Sequence, residues 1–286
     1  MPEINTYKPG DFCWAEVGTI GIAKTKAFYS ELFGWTYDDR PAGEFGTYTI
    51  AQLQDKDVLG MYEISPEMKK MGVPPHWMSY VAVANTDATC EKAKELGAKI
   101  MNGPFDVMDV GRMAVLSDPT GAHFSIWQTK VPKVHQLMGD PGTPCWFELA
   151  TKGVDKAEKF YVELFGWKVK KDADGVYREI TGSGHEMGGM MELMPHHGPV
   201  PPHWTVYFTV NDCDGDAKRA TQLGGKVLVP PMDIPHVGRF AVLADPAGAA
   251  FAIIKLSLDP EHKQHKQQAQ SAAPQEPTKL KPVKGE

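Results

Sequence analysis

The chain has 286 residues, 42% of them apolar and 23% charged, with a net charge of −6 and a pI of about 5.9. That composition suits one large or two ordinary globular domains with a real apolar core, and it offers no basic face for a nucleic acid. No apolar run approaches the roughly 18 residues of a membrane span, and MPEINTYKPGDF shows no secretory pattern, so a cytoplasmic protein is expected.

In chain order, FCWAEVG (12–18) alternates as a strand does, and AKTKAFYSELFG (23–34) spaces its apolar residues as a helix that stops at Gly34. WTYDD, TYTIAQL and DVLGMYEI then predict three strands. The order repeats: WMSYVAV as a strand, TDATCEKAKELG as a helix ending in Gly97, then KIMNGPFDV, GRMAVL and AHFSIWQ as strands. These two βαβββ modules fill the first half of the chain.

The second half copies the first. AFYSELFGW (27–35) answers KFYVELFGW (159–167), FCWAEV (12–17) answers PCWFEL (144–149), and PPHW recurs at 74–77 and 201–204. VGRMAVLSDPTGAHFSI (110–126) answers VGRFAVLADPAGAAFAI (237–253). A period of domain size predicts two tandem domains, 8–130 and 140–257, and so four modules in an α+β fold. The FY-containing helix is expected to pack on the back of a sheet. Residues 258–286 are poor in large apolar side chains and predict a disordered tail. Four scattered cysteines make neither a disulfide scaffold nor a zinc pattern, and predict small buried side chains. P-loop, dinucleotide and G-x-S-x-G signatures are absent.

With this order, FYxxLFGW after the first strand and DPxG before the last, the chain resembles the vicinal oxygen chelate superfamily. That superfamily holds glyoxalase I, extradiol dioxygenases and bleomycin-resistance proteins. The W-x-E, PPHW and VGR…DPxG motifs are more similar to a tandem glyoxalase-like subgroup, which includes proteins labelled hydroxylases in aromatic polyketide pathways and mycobacterial antigens. The resemblance implies paired modules curled into a cup whose inner strands hold a divalent metal. It also implies where the ligands would stand. The first-strand position, fourteen residues before the Phe of FY, is Trp14 and Trp146; the last-strand position is Ser125 and Ala252. A third position falls on Met78 and Thr205, and Glu63 and Glu192 are the only carboxylates kept. The usual metal site is therefore expected to be gone, with no cofactor required.

What remains is a candidate ligand site. Glu16 and Glu148 share an inner face with Trp14 and Trp146 by alternation, and Arg112 and Arg239 are expected to pair with them. Trp77 and Trp204 are expected near the cup rim. A shifted metal set of Glu16, His76 and His123 is the weaker alternative, since Ala250 replaces His123 in the second copy; otherwise the PPHW histidines are expected to pack turns. His196 and His197 suggest a surface loop, and Met187, Met190, Met191 and Met194 either a pocket lining or plain core. The leading expectation is a small apolar or aromatic ligand bound without metal. The alternative is a metal-independent lyase, isomerase or hydroxylase-like enzyme with Glu16 or Glu148 as general base. No nucleic-acid or membrane partner is expected, and the chain is expected to be a monomer with an internal pseudo-two-fold, or a weak dimer.

Overall fold

The computed structural model describes residues 3–257, apart from 44–45, 132–133 and 173. The expected tail, 258–286, lies outside the described residues. A short β1 (Glu3–Ile4) precedes β2 (Phe12–Thr19), α1 (Ile22–Phe33), β3 (Thr36–Pro41), β4 (Thr47–Leu53) and β5 (Lys56–Glu63). After the short α2 (Pro66–Lys70) come β6 (His76–Ala82), α3 (Thr86–Glu95), β7 (Lys99–Val107), β8 (Gly111–Ser117) and β9 (His123–Thr129). A connecting β10 (Gln136–Leu137) leads to β11 (Pro144–Thr151), α4 (Val154–Phe165), β12 (Lys168–Lys171), β13 (Tyr177–Thr181) and β14 (Glu186–Glu192). The last module is β15 (His203–Thr209), α5 (Cys213–Gln222), β16 (Lys226–Ile234), β17 (Gly238–Ala244) and β18 (Ala250–Leu256).

In each domain the two modules share one mixed sheet. The strand orders are β3-β4-β5-β2-β6-β9-β8-β7 and β12-β13-β14-β11-β15-β18-β17-β16, with β10 and β1 added beside β5. The first strands of paired modules meet antiparallel at the centre, Glu16 opposite Met78 and Glu148 opposite Thr205. Alternation then gives every central strand two distinct faces. One face carries Ala15, Val17, Trp77, Phe124 and Ile126, which merge with the helices and with their counterparts in the other domain into a single apolar core. The opposite face carries two separate small clusters, one around Met78 and Tyr80 and one around Tyr207 and Ile254. The sheets therefore stand back to back, and each turns its own cup outward.

The duplicated helix motif builds the joint between them. Trp35 Nε1 donates to the Gly142 carbonyl at 2.7 Å and Trp167 Nε1 to that of Gly10 at 2.6 Å, each reaching into the other domain. Tyr29 donates to Asp245 Oδ2 at 3.3 Å, and Tyr161 to Asp118 Oδ2 at 2.9 Å. The second oxygen of each aspartate gathers the turn's own N–H groups, Thr120 to Ala122 in one DPxG and Ala247 to Ala249 in the other. So FYxxLFGW does more than cover its own sheet, as expected from sequence. It clasps the other domain's DPxG turn.

That clasp also relocates Trp77 and Trp204. Their indoles donate to Tyr29 and Tyr161 at 3.2 and 2.9 Å inside the shared core, and not at a cup rim. The reason is parity: in HWMSY the cup takes His76, Met78 and Tyr80, so the intervening Trp77 points the other way.

Glu63 and Glu192 have a local task. Helices α1 and α4 begin at Gly21 and Gly153, with φ of 85° and 86°, which leaves no side chain to cap them. The Glu63 carboxylate accepts from the N–H groups of Gly21 and Ile22, both at 2.9 Å, and Glu192 does the same for Gly153 and Val154. A carboxylate there satisfies orphan donors and faces the positive helix end. Burial nudges the Glu63 pKa up, but the Ile22 N–H, the Lys69 ammonium and the Gly21 N–H outweigh it and leave it lowered.

Candidate functional site

Each cup is organised around one carboxylate. Glu16 Oε1 accepts from Tyr80 at 2.6 Å and Oε2 from Tyr48 at 2.9 Å; Trp14 Nε1 donates to the same Tyr48 oxygen at 3.0 Å. Domain 2 repeats this: Glu148 accepts from Tyr207 at 2.7 Å and Tyr177 at 2.9 Å, and Trp146 donates to Tyr177 at 2.9 Å. The tyrosines come from the edge side (β4, β13) and from the neighbouring central strand (β6, β15). Glycines make room for the edge pair: a Cβ at Gly60 would strike the Tyr48 hydroxyl, and one at Gly189 that of Tyr177.

The electrostatics follow from crowding. Glu16 keeps some accessible surface, yet the protein packed around it strips water and pushes its pKa above the ordinary value, with Tyr80 and Tyr48 pulling partly back. Glu148 is raised for the same reason, opposed by Tyr207, Tyr177 and the nearby His203. Burial, followed by the charge of the carboxylate, holds Tyr48 and Tyr80 well above the usual phenol range, so they remain donors.

The expected Glu–Arg pairing is not what forms. Arg112 places Nε 2.7 Å from Asp87 on α3 and Nη1 3.3 Å from Asp106 on β7; Arg239 makes the equivalent bonds to Asp214 and Asp233. Parity again decides this, because Met113 and Val115 take the cup side of β8 while Arg112, Ala114 and Leu116 take the helix side. The remaining positions do converge in the cups. Met78 lies on the floor beside Tyr80, Thr205 faces Glu148, and Ser125 is fully buried opposite Tyr80, its hydroxyl without a partner among the described residues.

Sequence reasoning missed the four tyrosines and the walls supplied by Met113, Val115 and Trp127 in one cup and Phe240, Val242 and Ile254 in the other. A glycine inside a predicted strand, as in DVLGMYEI, was the available signal of close approach. The methionine run does not line one pocket: Met187 and Met190 are core, and Met194 is exposed. Among the described residues no three His, Cys, Asp or Glu side chains converge, so Glu16, His76 and His123 do not form a set. Two recesses of about 370 and 280 Å³ lie along the seam of α1 and α5, one reaching Pro141 and Asp216, and contain none of the predicted residues.

Paired βαβββ modules sharing a cupped mixed sheet, written twice in tandem, define a glyoxalase-like class of protein. The sequence description of the Glyoxalase/Bleomycin resistance protein/Dioxygenase superfamily matches residues 14–126 and again 144–253, and the chain belongs to that superfamily. It is 39% identical over 259 residues to a Mycobacterium bovis protein named "Putative glyoxylase CFP32", covering 89% of this chain and 98% of that one. It is 34% identical over 265 residues to the "Anthracycline biosynthesis protein DnrV" of Streptomyces peucetius, covering 87% and 94%. Among solved structures it resembles the Mn(II)-bound glyoxalase of Novosphingobium aromaticivorans, with a TM-score of 0.61 at 16% identity over 87% of this chain and 83% of that one. It also resembles the 2,3-dioxygenase LapB of Pseudomonas, with a TM-score of 0.59 at 12% identity over 89% and 96%. At that identity the structural likeness is one of fold.

Proposed function

We propose that each outward cup binds a small, largely apolar or aromatic organic molecule, and does so without the metal the family's ligand positions would hold. One observation carries this reading. In both copies the first ligand position is a tryptophan whose N–H is committed to a tyrosine–glutamate–tyrosine network.

The other positions point the same way. An indole N–H donates and cannot ligate, Met78 and Thr205 offer weak or neutral donors, Ser125 and Ala252 bring no carboxylate, and Glu63 and Glu192 hold helix N-termini. Such a set does not suit a divalent cation. Half-exposed indole, thioether and aliphatic walls around a satisfied polar floor suit a planar organic body, with stacking on Trp14 or Trp146. Similarity to a protein named for anthracycline biosynthesis supports an organic ligand of this kind.

A second reading, a metal-independent enzyme, is favoured by the raised pKa of Glu16 and Glu148, which is what a general base working near neutrality needs. Both oxygens of each carboxylate already accept a phenol O–H, so the carboxylate acts first as an anchor. The test is an aromatic ligand screen by thermal shift on protein purified without chelator, with metal analysis alongside. Binding is expected with metal well below one equivalent, and Trp14→Ala with Trp146→Ala should weaken it about tenfold. Stoichiometric metal at the cups would refute the reading. Turnover abolished by Glu16→Gln and Glu148→Gln would transfer it to the enzymatic one.

A further inference from the structure

PPHW is written in both halves, and the two copies place their histidines alike. Nδ1 of His76 lies 2.8 Å from the Pro74 carbonyl oxygen, and Nδ1 of His203 lies 2.8 Å from that of Pro201. A carbonyl only accepts, so Nδ1 carries the proton in both rings, and in the neutral imidazole Nε2 is a bare acceptor. The turn-packing role expected from sequence thus occupies one nitrogen and leaves the other.

Strand register puts both imidazoles on the cup face. His76 stands opposite Gly18, two residues along the strand from the Met78–Glu16 pair and on the same face. Gly18 has no side chain, and a Cβ there would lie 2.6 Å from the Tyr62 hydroxyl and 3.1 Å from His76 Cε1, so both rings lean over the same floor. Tyr62 is 3.4 Å from His76 Nε2, a long and weak contact. In the second cup Met191 replaces Tyr62, and His203 Nε2 has no hydrogen-bond partner among the described residues. Burial lowers the His76 pKa, with the Pro74 carbonyl opposing and His123 adding to the fall, a shift that favours the neutral ring. Each oxygen of the glutamate beside each histidine already accepts one phenol O–H.

We propose that Nε2 of His76 and of His203 accepts a hydrogen bond from an acidic hydroxyl of the ligand, so the cups select aromatic molecules bearing a phenol or enol O–H. This rests on the ligand-binding reading above and adds the polar feature that reading lacks. The chemistry is recognition only: the hydroxyl donates, the imidazole accepts, and no bond is broken.

The experiment pairs 2-naphthol with 2-methoxynaphthalene, the same ring system without the donor, in titrations of the full chain followed by intrinsic fluorescence. Wild type should prefer the naphthol roughly tenfold, the scale of one net hydrogen bond gained by the ligand hydroxyl. His76→Phe with His203→Phe should erase the preference, so that the two probes bind alike. His76→Gln with His203→Gln, which returns a carbonyl acceptor, should restore part of it. Equal binding of the two probes by wild type, or a preference kept in the Phe variant, overturns the histidine assignment and leaves the cup reading standing. Binding of neither probe removes both.

Discussion

The two cups of this chain hold the same inner network inside different walls. Trp, Glu and both tyrosines occupy equivalent places in each, with bond lengths between 2.6 and 3.0 Å. Around them Met78 becomes Thr205, Met113 becomes Phe240, Ser125 becomes Ala252 and Trp127 becomes Ile254. The constant part fixes where a polar anchor sits, and the changed part reshapes the apolar space above it. One exchange is coupled: Gly18 with Tyr62 in the first cup is Ala150 with Met191 in the second. Gly18 tolerates the phenol above it because it lacks a Cβ, and where the Cβ returns the phenol is gone. Two cups of one frame thus carry walls of different shape.

The comparison can be broken first at the frame they share. Trp35→Ala removes a buried indole and its bond to Gly142, and should cost about 3–5 kcal/mol. Because the core is continuous across the domains, denaturant unfolding should stay a single transition with both cups lost together. Two separated transitions would show instead that the cups rest on independent cores.

A smaller effect sharpens the difference between them. Gly18→Ala should destabilise by about 1–3 kcal/mol through overpacking against Tyr62, and adding Tyr62→Met should recover most of that loss while giving the first cup the second's ligand preference. Additive costs in the double-mutant cycle would disprove the coupling.

The smallest effect is a drift with pH. Glu16 and Glu148 have folded pKa values above their unfolded ones, so their contribution to stability is fully present below the unfolded value, near 4.3, and is lost as pH rises through the folded one. Glu16→Gln with Glu148→Gln should therefore gain on wild type in thermal midpoint as pH climbs from about 4 to 7. Glu63, lowered on folding, runs the other way. Its contribution is present above the unfolded value and fades as pH falls through the folded one, so Glu63→Gln should melt below wild type at neutral pH and converge with it in acid.

Much of this architecture was legible in the sequence, because a copied nine-residue motif and strict alternation are strong signals. Trp14 and Glu16 share one face, as alternation predicts, and the tryptophan at the position the resemblance assigns to a ligand could be counted from the FY pair. What failed did so by parity and by partner. Trp77 and Arg112 each sit one residue from cup-facing neighbours, so a one-residue error of face sends them into the core or onto the helix layer. Tyr48 reaches Glu16 from a strand 32 residues away in sequence, a meeting that depends on strand order and on the missing side chain at Gly60. The carboxylates of Glu63 and Glu192 were read through the family's metal, when the nearer claim on them was an uncapped helix.

The reciprocal clasp has a consequence for how the chain is made. Tyr29 meets its aspartate 216 residues later, and Trp35 its carbonyl 107 residues later. As synthesis proceeds from the N-terminus, the first domain emerges with part of the aromatic face of α1 uncovered, the part that later meets Phe208, Phe251 and Asp245. Contacts of such long sequence separation form slowly and leave apolar surface open meanwhile. Completion of the first domain therefore waits on the last strands of the second, and the halves mature as one unit.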